Sequence, residues 1–297
     1  MKKASVTKEN GKTIVRINSS AMSLLQTCQR KAQYNLFNQV ESAPSVAQSF
    51  GTLIHKALEQ YYMLTPELHT PEIITEIWAK VALDYQDPED SSKPHTKAIG
   101  HKLLKSYADT FKNDPWVAVR DKDGKALTES QFEFPIFSFA DEIEYRLFGT
   151  IDMIVKNTET GEYAVMDHKT GRTLGQEFVN RWNPNNQVSA YILALNKFYN
   201  FRSNKAVING LQVAKTVHAT CRVEARRDFD QLDEFVELAR SYCRDLVDLS
   251  EGKQGRAADG ITCSQFGGCA YQNVCALTPK LRDTALQNMK ETQQVEE

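Results

Sequence analysis

No apolar run in the 297 residues approaches the ~20 needed to span a bilayer, so the sequence argues against an integral membrane protein. No apolar stretch follows the basic start Met1-Lys2-Lys3, so no secretory signal is expected and the expected location is cytoplasmic. Positive charge is not in excess either: 36 Lys and Arg stand against 38 Asp and Glu, a formal net charge of −2. A nucleic-acid partner would therefore have to be met by a local basic patch rather than by the whole surface. No internal repeat is visible, and no low-complexity segment outside the polar C-terminal end. What remains is ordinary for a globular chain: 41% hydrophobic and 25% charged residues, enough to bury a core. With no linker inside it, residues 1–282 read as a single composite domain and 283–297 as a flexible polar tail.

The most informative stretch is Gly149-Thr-Ile-Asp152-Met-Ile-Val155 followed by Val165-Met-Asp167-His168-Lys169-Thr-Gly171. Both halves are short, apolar and bounded by turn residues, so both read as strands. The polar link Asn157-Thr-Glu-Thr-Gly161 reads as a hairpin loop. If the tight turn is Thr158 to Gly161, Asn157 pairs with Glu162 and Asp152 falls opposite Asp167. Directly opposed side chains have Cβ atoms roughly 4.5–5.5 Å apart. Lys169, two residues beyond Asp167, shares its face. Two carboxylates and an ammonium then stand on one side of an apolar hairpin. A one-residue slip would scatter them. Like charges that close need an offsetting cation, and a divalent ion with oxygen ligands supplies one. A lysine bridging surface carboxylates is the plainer account of any Asp-x-Lys. The second carboxylate one strand earlier favours the ion.

Other segments carry candidate residues. A helix after Ser49-Phe-Gly51-Thr sets His55 and Glu59 on one face. A helix over about 21–37 contains Cys28. A helix over about 95–112 buries Leu103, Leu104, Tyr107 and Phe111. Its Lys97, His101, Lys102 and Lys105 form either a solvated face or a wall of a nucleic-acid groove. Strands follow at 127–134, 136–139 and 143–148. After Lys169, Gly171 lets the backbone leave the sheet, and Arg172 can reach a phosphate. Asn183-Pro184 starts a helix carrying Gln187 and Tyr191 four residues apart. Two more strands (207–213, 217–225) and a helix (229–249) complete the pattern.

Together these motifs resemble the PD-(D/E)xK nucleases, most of all the RecB-type exonucleases and their CRISPR-associated relatives, over roughly Leu24 to Leu277. The resemblance implies an α/β fold: a restriction-endonuclease-like core with a mixed central sheet flanked by helices. It implies Mg²⁺ or Mn²⁺ held by His55, Asp152, Asp167 and the backbone carbonyl of His168. It also implies that Lys169 serves catalysis and that Gln187 and Tyr191 line the site. Glu59 could orient His55, and Glu133 sits where such sequences often carry a supporting glutamate. The expected substrate is DNA cut from an end, in recombination, repair or phage DNA metabolism. Arg172, Lys102 and Lys105 are the candidate DNA contacts. A homo-oligomer or a recombination-protein partner is compatible with this reading.

Six cysteines in a reducing compartment do not call for disulfides. Cys221 and Cys243 read as buried thiols. Cys263, Cys269 and Cys275 crowd a glycine-containing loop, and Cys28 could supply a fourth thiolate. The residues leave open zinc or an iron–sulfur cluster. Paired C-x₂-C knuckles, the usual zinc mark, are absent. One cysteine before the core and three after it is the arrangement of the iron–sulfur members of the RecB-like group. The resemblance therefore implies a 4Fe-4S cluster that ties the two ends of the chain together as a staple. The other class of function is a non-catalytic nucleic-acid-binding or assembly protein on the same fold. The intact set Asp152, Asp167 and Lys169 argues against it.

Overall fold

The computed structural model describes residues 3–38, 40, 45–90, 92–140, 142–265 and 268–295. In chain order the strands and helices are β1 (Ala4–Glu9), β2 (Lys12–Ile17), α1 (Ser19–Thr27), α2 (Gln29–Leu36), α3 (Val46–Met63), α4 (Pro71–Val81), α5 (Lys97–Thr110), β3 (Trp116–Ala118), β4 (Thr128–Phe139), β5 (Ile143–Asn157), β6 (Tyr163–Gly171), α6 (Gln176–Asn180), α7 (Asn186–Lys197), β7 (Lys205–Gln212), β8 (Thr220–Arg226), α8 (Phe229–Ser250), α9 (Gly260–Ser264), α10 (Gln272–Ala276) and α11 (Pro279–Val295). The architecture is mixed α/β with a mixed sheet flanked by helices, as expected. Among the described residues no helix is long and apolar enough to cross a membrane.

Contacts gather the chain into two compact units. The units interleave along the chain, so no linker separates them. One comprises Met1–Ala43, Glu133–Gly149 and Asp233–Glu297; the other comprises Pro44–Phe132 and Thr150–Leu232.

In the first unit β1 pairs antiparallel with β2, and β2 pairs in parallel with the start of β5, Thr13 opposite Ile143. Asn18 caps α1: its Oδ1 accepts from Ala21 N at 2.9 Å. The single helix expected over 21–37 is broken at Cys28, whose backbone is extended (φ −167°, ψ 112°). Its sulfur caps α2 by accepting from Lys31 N. The supposed flexible tail is helical through Val295. Its Met289 lies three and four residues beyond Leu286 and Ala285, and Leu286 is buried with Tyr34, Val40, Tyr271 and Val274.

In the second unit β6 pairs antiparallel with the end of β5 and in parallel with β7, and β7 pairs antiparallel with β8. α3 begins one turn earlier than expected, in a capping box between Ser45 and Gln48. α7 is capped by Asn185, whose Oδ1 accepts from Gln187 N and Val188 N, and not by proline in its first turn. Phe50, Ile54, Leu58, Trp78, Leu103, Leu104 and Tyr107 from α3, α4 and α5 pack with Met153, Val155, Met166, Val207 and Leu211 of the sheet. Each such fully buried side chain contributes about 1.5–3 kcal/mol relative to exposure. Gly51 permits α3 to lie close on β6: a Cβ there would come within 3.1 Å of Thr170 Oγ1. One turn further on, the same face of α3 carries His55.

Candidate active site

The site grows from the β5–β6 hairpin. The register places Met153 opposite Met166 and Lys156 opposite Tyr163, the count read from the sequence. One step beyond Met153, the same count sets Asp152 against Asp167. The turn is locked by Asn157, whose Oδ1 accepts from the N–H groups of Glu159 and Thr160. Asp167 is only 3% exposed. Lys169 Nζ sits 2.9 Å from its Oδ1 and 2.7 Å from its Oδ2. His55 Nδ1 lies 3.2 Å from Asp152 Oδ2, and the His168 backbone N–H donates to the same oxygen at 3.1 Å.

Charge in this cluster is strongly redistributed. Burial pushes the Asp167 carboxyl up, with the Asp152 charge adding to it and Lys169 opposing. Burial would also raise Asp152, but the hydrogen bond from His55 and the charge of Lys169 outweigh it and hold it well below the usual range. Burial opposes charge on His55 and Lys169 too, yet the carboxylates beside them raise both. Lys169 is thus an ammonium. Strand alternation turns the His168 ring to the opposite face from Asp167 and Lys169, where burial lowers it to about 3 and leaves it neutral.

Gln187 Nε2 donates to the Tyr191 hydroxyl at 2.8 Å on α7. Burial first, then the charges of Asp167 and Asp152, push the Tyr191 phenol well up, which brings this pair into the carboxylate field. The other candidates are not brought in. Arg172 is exposed beyond β6, and its carbonyl accepts from Gln212. Lys105 pairs with Asp109 at 3.1 Å on the surface of α5. Lys102 lies with Trp78, Ala82 and Leu83 along a groove between α4 and α5.

Glu133 is taken up by two arginines. It bonds Arg16 at 2.9 Å and Arg146 at 3.1 Å in the first unit. Glu129, four residues earlier, lies beside the carboxylates, lining a small pocket with His55, Glu59, Thr128 and Asp152. Its backbone is left-handed (φ +44°), a strained state for a residue with a Cβ. Nothing in Leu127-Thr-Glu-Ser marks it, since its left-handed backbone and its place beside Asp152 arise from packing, while the side chain itself stays largely exposed. Burial, Asp152 and Glu59 push its carboxyl from the ordinary 4.5 to about 7. This raised value favours the metal-free fold fully below pH 4.5, and the advantage is lost as pH rises through about 7. Solvent screening limits the effect to about 1–2 kcal/mol. Thermal melts of metal-free protein should show that loss, and Glu129→Gln should remove it. An unchanged pH slope in the variant would contradict the assignment.

The donors match a hard divalent cation in kind: carboxylates, an imidazole and a strand carbonyl. Thr128 Oγ1, buried and without a hydrogen-bond partner among the described residues, adds an oxygen to the pocket wall. As arranged, no three His, Cys, Asp or Glu side chains among the described residues gather around one point as a metal would hold them. Lys169 and His55 balance the carboxylates instead.

The cysteines divide as expected in part. None of the six is in a disulfide. Cys243 is fully buried and its thiol is pushed up to about 12 by burial. Cys221 is only half-buried, beside Gly210, where a Cβ would come within 2.8 Å of its sulfur. The other four lie in the first unit as neighbours: burial and then Cys269, Cys28 and Cys275 raise the Cys263 thiol. Cys28 Sγ accepts from the N–H groups of Lys31 and Ala258, both at 3.4 Å.

Residues 16–276 match the PD-(D/E)XK nuclease superfamily. Among solved structures, a protein from Eubacterium rectale that bears the name of an exonuclease is similar at 10% identity and a TM-score of 0.49, over 81% of this chain and 84% of that one. The structure of SSO0001 is similar at 13% identity and a TM-score of 0.34, over 80% and 78%. No curated protein matches significantly.

Proposed function

Because the chain belongs to the PD-(D/E)XK nuclease superfamily, we propose that it is a divalent-metal-dependent deoxyribonuclease that degrades DNA from ends. The observation that carries this reading is the cluster at the end of the hairpin, where Lys169 Nζ stands 2.7 Å from Asp167 and His55 3.2 Å from Asp152. His55, Asp152, Asp167 and the His168 carbonyl would hold Mg²⁺ or Mn²⁺. When bound, the ion would supply Lewis acidity at the scissile phosphate and a water of lowered pKa.

The protein's own groups do the rest. Lys169 is held charged by Asp167 and so serves as a cation rather than a base. Its ammonium would stand against the negative charge that develops on the phosphoryl oxygens. The Tyr191 phenol, kept protonated, can donate to a phosphate oxygen, with Gln187 fixing its direction. The half-buried Asp152–His55 pair keeps the carboxylate ionised at neutral pH. Arg172, exposed just past Lys169, would meet the backbone of the strand.

Cys28, Cys263, Cys269 and Cys275 would hold a 4Fe-4S cluster with a structural role. Four neighbouring thiols, with backbone N–H groups donating to one sulfur, support this reading. Zinc is the competing occupant.

The test is cleavage of end-labelled single-stranded and double-stranded DNA beside a covalently closed circle, with Mn²⁺ or Mg²⁺. Shortening of linear DNA with the circle spared is the expected result. Circle cleavage would make the enzyme an endonuclease. No cleavage of any substrate with either ion would defeat the proposal.

A further inference from the structure

Behind the carboxylates, on the opposite face of β6, lies a run of polar groups that the reaction above does not use. Asp114 holds Arg222 through two bonds, 2.7 Å to Nη1 and 2.5 Å to Nη2. Arg222 stacks its guanidinium over Phe111 at 4.2 Å and donates from Nε to Asn209 Oδ1 at 2.8 Å. Asn209 Nδ2 is 3.0 Å from the Tyr107 hydroxyl. Tyr107 lies 2.7 Å from the Tyr62 hydroxyl and 2.9 Å from His168 Nε2. Tyr107 and Asn209 are wholly buried, and Tyr62 and His168 nearly so.

The chemistry gives this run a direction. A guanidinium only donates, so Asn209 must turn its oxygen to Arg222 and its amide hydrogens toward Tyr107. The Tyr107 oxygen accepts from that amide. The amide also stands 3.5 Å from His168 Nε2, and a donor there makes Nε2 an acceptor. The ring proton then belongs on Nδ1, the Tyr107 proton goes to Nε2, and Tyr62 donates to Tyr107. Arg222, anchored by donating to Asp114, starts a series in which each later bond, through Asn209 and Tyr107, points toward His168. The groups come from the segment after α5, from β8, β7 and α5 itself, and from α3, which carries Tyr62.

We propose that Asp114, Arg222, Asn209 and Tyr107 are positioning residues for the catalytic carboxylate. They lock the His168 ring, and with it the His168 peptide whose N–H holds Asp152 Oδ2 at 3.1 Å. Asp152 is thereby preset before an ion or a strand arrives. The link to metal binding rests on the nuclease reading; the locking of the peptide does not.

The test uses the full chain with Tyr107→Phe, which keeps the ring and removes one hydroxyl, and Asn209→Leu as a second break. Tyr85→Phe is the control, since it deletes a different tyrosine bond, to the His95 carbonyl at 2.9 Å. The His168 amide exchange rate and ring nitrogen shifts are read by NMR, and Mn²⁺ affinity by electron paramagnetic resonance without DNA. In Tyr107→Phe the His168 amide should exchange at least about tenfold faster while that of Val165 is unchanged. Mn²⁺ should bind about tenfold more weakly, the usual loss when a group behind a ligand is removed. Tyr85→Phe should match the wild type in both. A His168 amide that keeps the wild-type rate in Tyr107→Phe overturns the relay. A released amide with unchanged Mn²⁺ affinity overturns its role in positioning. If the wild type itself takes up no Mn²⁺, the nuclease reading fails, and the amide rates still decide the relay.

Discussion

Asp167→Asn and Asp152→Asn should each lower Mn²⁺-dependent cleavage by more than about 10²–10³-fold, the scale of losing a group that stabilises transition-state charge. DNA binding should stay within a few-fold of the wild type, because neither carboxylate attracts a phosphate. Asparagine keeps the volume of the side chain, so the loss can be read apart from unfolding. Asp167→Asn also removes the charge that Lys169 Nζ meets at 2.7 Å. Removing that carboxylate leaves the lysine half-buried without its partner, and its ammonium becomes harder to keep charged. His55→Ala should behave differently. Its imidazole touches Asp152 from α3 and would complete the ion's donors, so the variant should need more Mn²⁺ yet recover much of its rate at saturation. The measurement is cleavage rate against Mn²⁺ concentration for the three variants. Full activity in either asparagine variant would remove the hairpin from the mechanism.

The second large effect should come from the four neighbouring cysteines. Cys275→Ser or Cys28→Ser should lose both iron and acid-labile sulfide and become sensitive to limited proteolysis. Cys28 sits at the break between α1 and α2, while Cys269 and Cys275 pack against the cluster of Tyr34, Tyr271, Val274 and Leu286. A cluster would join these parts of the first unit, and its binding energy would become folding energy. Cys221→Ser and Cys243→Ser should keep their iron. Cys243 in particular is a thiol held protonated by burial, and a thiol is no ligand until it loses its proton. Zinc without sulfide in the wild type would decide for the competing metal. Iron lost from Cys221→Ser but kept in Cys28→Ser would refute the ligand set.

Local rules carried the hairpin far. The polar turn ending in Gly161 set the register, and a strand's period of two then put Asp167 and Lys169 on one face. A helix's period likewise set Gly51 and His55 on one face of α3, and it paired Gln187 with Tyr191 on α7. These features depend on residues within a few positions of each other, and such patterns survive in the one-dimensional chain.

The remainder needed the folded molecule. Glu129 rather than Glu133 joins the carboxylates because one left-handed residue and the packing around it aim that side chain, and composition carries no trace of either. The α1–α2 break at Cys28 is hidden in a stretch whose helical propensity is unremarkable. In α11, polar composition masked three apolar residues at helical spacing, which count only once a buried surface exists to receive them. The relay from Asp114 through Arg222, Asn209 and Tyr107 to His168 rests on bonds between residues as far as 108 positions apart. By itself the sequence determined the hairpin that carries Asp152, Asp167 and Lys169 and the helical faces beside it, because hydrogen-bonded turns and side-chain periodicity are short-range. Only the tertiary structure decided which glutamate and which buried polar groups surround Asp152 and His168, because burial and long-range proximity are properties of packing.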